Sequence, residues 1–89
     1  MMETGRIVFS KAGRDKRRAF VVASSDGGYV YLVDGDIRTL SRPKKKKLMH
    51  VQPTNSFAEE VGHKLKNNLY INDAEIRKAL SLFSSHREA

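Results

Sequence analysis

The chain has 89 residues, 39% of them hydrophobic, with four Phe and three Tyr, enough for one small domain with a modest core and too apolar for wholesale disorder. Cysteine is absent, which excludes a disulfide framework and thiolate metal sites. The N-terminal "MMETGRIVFSKAG" has no signal-length apolar stretch, and no run approaches the ~20 apolar residues of a membrane span, so a soluble, cytoplasmic protein is expected.

The net charge is +7, and it is unevenly placed. Residues 1–50 carry twelve Lys/Arg against five Asp/Glu, whereas residues 51–89 carry five of each. The excess is concentrated in two clusters. Lys11 to Arg18 holds five basic residues and one acid; Arg42 to Lys47 holds five and none. Such crowding costs folding energy through self-repulsion, so it points to a polyanionic partner: a nucleic acid or, second, an anionic membrane surface.

In chain order, the first half alternates with period two. "RIVFS" (Arg6–Ser10) sets Ile7 and Phe9 on one face, with Val8 and Ser10 on the other. The basic stretch "KAGRDKRR" follows, then the β-branched run "AFVVAS" (Ala19–Ser24). "SSDGG" (Ser24–Gly28) is a turn by its Asp-Gly pair, and "YVYLV" (Tyr29–Val33) is rich in sheet-forming residues. "DGD" (Asp34–Asp36) predicts a second turn, "IRTL" a short strand, "SRPKKKK" a basic loop and "LMHV" a fifth strand. Five short strands joined by tight turns predict a small antiparallel barrel over residues 1–53, since closure removes the exposed edges of so short a sheet.

Pro53 and "TNS" mark the predicted boundary, and residues 54–89 read as a helical extension packed on the barrel or on a partner. Ser56 with Glu59 fits a capping box, and Phe57, Val61 and Leu65 form a stripe, so a helix is expected over 56–66 despite Gly62. Asn72 with Glu75 fits a second capping box, and Ile76, Ala79, Leu80 and Phe83 keep helical spacing, so 73–83 is the clearest helix. The terminal "SSHREA" reads as frayed. This half is electrically balanced, and its expected role is packing or protein contact.

Enzyme-like constellations are sparse. His50, His63 and His86 lack metal-ligand spacing, Glu59 and Glu60 suit a helix start, and Asp34 and Asp36 suit a turn. Ser10 has no oriented histidine partner, and neither a dinucleotide fingerprint nor a P-loop occurs. The expectation is a non-enzyme without cofactor or metal.

"GRIVFSKAGRDKRRAFVV" resembles the KOW motif, in which a basic loop with a central glycine joins two apolar strands. "YVYLVDGDIRTL" and "KLMHVQPT" look like the continuation found in the ribosomal protein families fourteen-e, six-e and twenty-seven-e. The chain as a whole is similar to small bacterial KOW-domain RNA-binding proteins, whose barrel is followed by a "DAEIRKAL"-type helix (here Asp73–Leu80). The resemblance implies an SH3-like barrel that binds RNA, often ribosomal, through the loop between its first two strands. On that basis Gly13 matches the motif glycine, and Arg14, Lys16 and Arg18 fall where the family contacts RNA. Position 17, usually a second glycine in these proteins, is Arg17; a left-handed backbone there would cost about 1–2 kcal/mol.

The expected RNA-binding set is therefore Lys11, Gly13, Arg14, Lys16, Arg17 and Arg18, extended by Arg42, Lys44, Lys45, Lys46 and Lys47 if closure brings the two clusters together. Phosphates would neutralise the array and release counterions. The lysine run on its own also reads as a solvated loop. The competing functional class is a protein-interaction module in transcription or translation, with ribosomal or transcription proteins docking on the barrel or the C-terminal helices.

Overall fold

A computed structural model describes residues 2–88, with side chains described through His86. Five strands come first: β1 (Arg6–Ser10), β2 (Ala19–Asp26), β3 (Tyr29–Val33), β4 (Lys44–Lys47) and β5 (Val51–Phe57). Two helices follow, α1 (Glu59–Lys66) and α2 (Asp73–Glu88). The strands form one antiparallel sheet in the order β4-β3-β2-β1-β5, so β4 and β5 are its edges.

That sheet is strongly curled. Flat, its two edge strands would lie four spacings of ~4.8 Å apart, about 19 Å. Yet only the 3-10 turn Leu48–His50 links Lys47 to Val51, and four residue steps span at most about 14 Å. Register shifts supply part of the bend, one between Val22 and Ser24 on β2 and one where Arg6–Val8 of β1 faces the longer stretch Pro53–Phe57 of β5. At the second, the Thr54 hydroxyl bridges the irregularity, donating to the Ile7 carbonyl (2.7 Å) and accepting from the Ser56 amide (3.0 Å).

Alternation along the strands creates two cores. Val8, Phe20, Val22, Val30, Leu32 and Val51 are buried together on the concave face, where the curled sheet covers itself and Met2 packs against it. Ile7, Val21 and Val33 face the other way and meet Ala58, Val61 and Ile76 of the helical segment. Leu65, Ala79, Leu80 and Phe83 add to this second core, with the Phe83 ring 5.9 Å from Phe9. The helical half therefore packs on the outer face of the sheet.

Gly62 has a specific reason to be in α1. It lies against Gly5, where a Cβ on Gly5 would come within 2.8 Å of the Gly62 Cα. The helix and the start of β1 touch through backbone, and the ~1 kcal/mol propensity cost of a helical glycine is offset by this contact.

Five expectations are corrected. "IRTL" is not a strand; residues 35–38 form a bend held by the Asp34 side chain, which accepts from the Asp36 (2.9 Å) and Arg38 (2.8 Å) amides. The lysine run is not a loop but strand β4, and most of "LMHV" is the 3-10 turn. The sheet does not stop at Pro53. Strand β5 carries that proline on an edge, where a missing N–H is tolerated, and continues to Phe57. Consequently α1 begins at Glu59 after Ala58, with no side-chain cap from Ser56.

The second capping box forms as read: the Asn72 side chain accepts from the Glu75 amide and the Glu75 carboxylate from the Asn72 amide, both at 3.1 Å. Helix α2 runs beyond Phe83 to Glu88, so residues 84–88 of the segment read as frayed are helical, and its last residue, Ala89, lies outside the described residues.

Candidate nucleic-acid interface

The segment 11–18 between β1 and β2 is tied down at several points. The Arg17 amide donates to the Ser10 carbonyl (2.8 Å), the Lys16 amide to Gly13 (3.2 Å) and the Arg18 amide to Asp15 (2.9 Å). The Ala12 carbonyl accepts twice, from the Ser10 hydroxyl (2.9 Å) and from the Lys46 ammonium (3.0 Å). Gly13 takes a left-handed backbone at φ 75°, with only the end of the Lys46 side chain near a hypothetical Cβ, so conformation is what favours glycine there. Arg17 is also left-handed, at φ 73°. The strain expected at that position is present, about 1–2 kcal/mol.

Two crossed ion pairs clamp this loop to the bend after β3. Arg18 Nη2 reaches Asp34 Oδ2 at 2.8 Å, and Arg38 Nη2 reaches Asp15 Oδ2 at 2.9 Å. Both carboxylates are buried, Asp15 with 5% and Asp34 with 6% of its surface exposed. The bend is in turn anchored to the start of α2: the Leu40 amide donates to Asp73 Oδ1 (2.8 Å), and Arg77 donates to the Gly35 carbonyl (2.6 Å). Loop, bend and helix thus form one bonded chain of contacts. Sequence reading missed Asp15, Arg38, Asp73 and Arg77, because the partners lie 23, 33 or 42 residues apart.

The eleven residues expected to bind RNA divide accordingly. Lys11, Arg14, Lys16 and Arg17 are exposed and make no ion pair or side-chain hydrogen bond among the described residues. Arg18 is committed to Asp34, with 42% of its side chain exposed. Arg42 is exposed beyond the bend.

Strand β4 splits the lysine run by alternation. Lys44 and Lys46 pair with Leu32 and Val30, whose side chains fill the concave core, and Lys46 is 92% buried beneath the loop. Lys45 and Lys47 pair with Tyr31 and Tyr29 on the outer face, and the Lys45 ammonium sits 4.5 Å from the Tyr29 ring centroid. Curling does bring the clusters into contact, through Lys46 and Ala12. It does not make one continuous cationic surface, because consecutive strand residues point to opposite faces.

Lysines on an edge strand also have a structural use, since they discourage pairing with another chain. The remaining candidates have structural surroundings. Glu59 and Glu60 lie in the first turn of α1. His63 shares an Asn67 contact (3.2 Å) at the end of that helix. Among the described residues, no group of three or more His, Asp or Glu is placed to hold a metal ion, and no helix is long and apolar enough to cross a membrane.

Comparison with known proteins adds no family: no protein-family model matches the sequence, and no curated protein matches it either.

Proposed function

We propose that this chain is a non-catalytic RNA-binding protein, associated with ribosomal RNA, that grips phosphates through the segment 11–18. One observation carries the reading. Four exposed cations, Lys11, Arg14, Lys16 and Arg17, stand on a backbone fixed by buried ion pairs, and none of them pairs with an acid among the described residues. A preset array of this kind loses little conformational entropy on meeting phosphates and gains from counterion release. The strain at Arg17 supports it, since a cation is kept where the backbone favours glycine.

The curled sheet, with its 3-10 turn between the last two strands, is read here as an SH3-like barrel of the KOW type. On that reading, the basic loop joining β1 and β2 corresponds to the one through which that type contacts RNA. Ribosomal RNA is the partner the resemblance suggests, and a cytoplasmic location goes with it.

A test is direct: titrate the full chain against a labelled ribosomal RNA fragment over a range of salt. Binding that weakens linearly in log–log form supports phosphate contact, whereas absent or salt-independent binding refutes it.

A second reading, a protein-interaction module of transcription or translation, is favoured by a different surface. Apolar side chains, among them Phe57, Val61 and Leu82, line a recess between β5, α1 and α2 whose charged members are three acids, Glu59, Glu60 and Glu75, and one cation, Lys78. Leu82 is 53% exposed there. That recess opposes the basic loop in charge and suits a protein segment better than a phosphate backbone.

A further inference from the structure

We infer that the outer face of the β3–β4 edge is a stacking platform for unpaired RNA bases, separate from the phosphate-gripping loop. The inference rests on the RNA-binding reading above and assigns its ligand class, single-stranded rather than duplex RNA.

Tyr29 and Tyr31 lie two residues apart on β3, so their side chains share a face and are spaced about 6.8 Å along the strand. Opposite them on β4 stand Lys47 and Lys45. The helices cover Val33, farther along the same face, but Tyr29 remains 37% exposed. Beside it, Leu48 is 37% and Met49 70% exposed, and with Gly28 and Lys47 they border an apolar recess against the Tyr29 ring.

Edge protection accounts for the lysines. It does not account for an exposed tyrosine, a half-buried one beside it, and an exposed leucine and methionine gathered at the same edge. A base needs what this surface has: an aromatic face to stack on, apolar side chains at its edge and cations within reach of its phosphates. Lys45 already occupies the position a ligand would take. Its ammonium lies 4.5 Å from the Tyr29 centroid and 6.0 Å from that of Tyr31, weak cation–π contacts at an exposed site. An arriving base displaces Lys45 from the ring, and the freed ammonium meets the phosphate of that nucleotide. The exchange replaces a weak, solvated cation–π contact with base–aromatic stacking, the stronger of the two.

The test uses the full chain and two labelled probes, a twelve-nucleotide oligouridylate and a twelve-base-pair RNA duplex of mixed sequence. The doubly substituted Tyr29→Ala, Tyr31→Ala protein should bind the single strand about 10-fold or more weakly and the duplex within about twofold of the parent. The Tyr29→Phe, Tyr31→Phe protein, which keeps both rings, should bind both probes like the parent. The chain has no tryptophan, so tyrosine emission is readable; the single strand should quench it in the parent, and the duplex should not.

Unchanged single-strand affinity in the alanine variant would overturn the platform while leaving the phosphate reading intact, and would assign this apolar patch to a protein contact. Equal loss of both probes would also overturn it, by showing that the tyrosines act through the fold. If the parent binds neither probe at any salt, both the RNA-binding reading and the platform fall.

Discussion

The segments 11–18 and 42–47 carry five basic residues each, and they end in opposite circumstances. The first is a loop whose acid, Asp15, is turned inward to Arg38, leaving four cations facing water. The second is mostly strand β4, whose alternation buries Lys46, half-buries Lys44 and leaves Lys45 and Lys47 outside, with Arg42 exposed just before the strand. Equal charge density therefore does not mean equal availability. The backbone conformation decides how many cations a ligand can reach, and a strand can present at most every second residue to one partner.

The comparison breaks most easily at the clamp that holds the loop. Asp34 accepts from two amides of its own bend and pairs with Arg18. Asp34→Ala removes these together and leaves Arg18 without its partner. Because Arg18 is partly hydrated, the expected loss is at the low end for buried pairs, about 2–3 kcal/mol, or roughly 10–20 °C in Tm for a domain this small. Chemical denaturation and a thermal melt check it. A variant as stable as the parent would mean that the loop is not held from the bend.

Lys46→Met sharpens the comparison in the other direction. Methionine fills a similar volume and loses the bond to the Ala12 carbonyl, so stability should fall by about 1 kcal/mol. The salt dependence of RNA binding should not change, since a buried ammonium meets no phosphate. A lowered salt slope would show that Lys46 leaves the interior when RNA arrives.

Arg17→Gly should move stability and binding in opposite ways. Relief of about 1–2 kcal/mol of left-handed strain matches or outweighs the ~0.4–1 kcal/mol that glycine's freedom in the unfolded chain costs, so the fold gains up to about 1.5 kcal/mol. One phosphate contact disappears, and the salt slope falls by about 0.7–0.9. Binding as salt-dependent as before would remove Arg17 from the interface.

Much of the strand pattern was legible: Arg6–Ser10 and Tyr29–Val33 have the boundaries that alternation suggests, and Asn72 and Glu75 cap α2 as their spacing implies. Four consecutive lysines hid a strand because charge is a poor signal for a sheet edge, where it serves against aggregation. "IRTL" looked like a strand because its tether is remote; Leu40 is fixed by Asp73, 33 residues on. Ser56 lost its cap role to a strand that continues past Pro53. The loop's cations were readable as charge. Their division into free, paired and buried was not, since long-range partners decide it.

The smallest expected effect lies in the neutral half. A hydrogen bond from Lys64 lowers the Glu75 carboxyl below its ordinary value of 4.5, and the same bond raises Lys64 above 10.5. The carboxylate's contribution is present above the unfolded glutamate value and is lost as pH falls through the folded one. The ammonium's contribution is present below the unfolded lysine value and is lost as pH rises through its folded one. Both groups are at the surface, so Glu75→Gln should slightly flatten the acid limb of a Tm–pH curve and leave the neutral plateau nearly unmoved. RNA affinity should not change. An acid limb identical to the parent's would show that the pair contributes nothing to folding.

The central claim is that the loop's free cations, and not the lysine strand as a whole, hold the RNA backbone. The most direct test is the slope of log K against log salt for three proteins: the parent, the Lys11, Arg14, Lys16 and Arg17 quadruple alanine variant, and the Lys45, Lys47 double alanine variant. With these six cations on phosphates, the parent should show about −4 to −5, the loop variant should lose about 3 units, and the strand variant about 1.5. A strand variant that loses more slope than the loop variant, or a loop variant with the parent's slope, would contradict the claim.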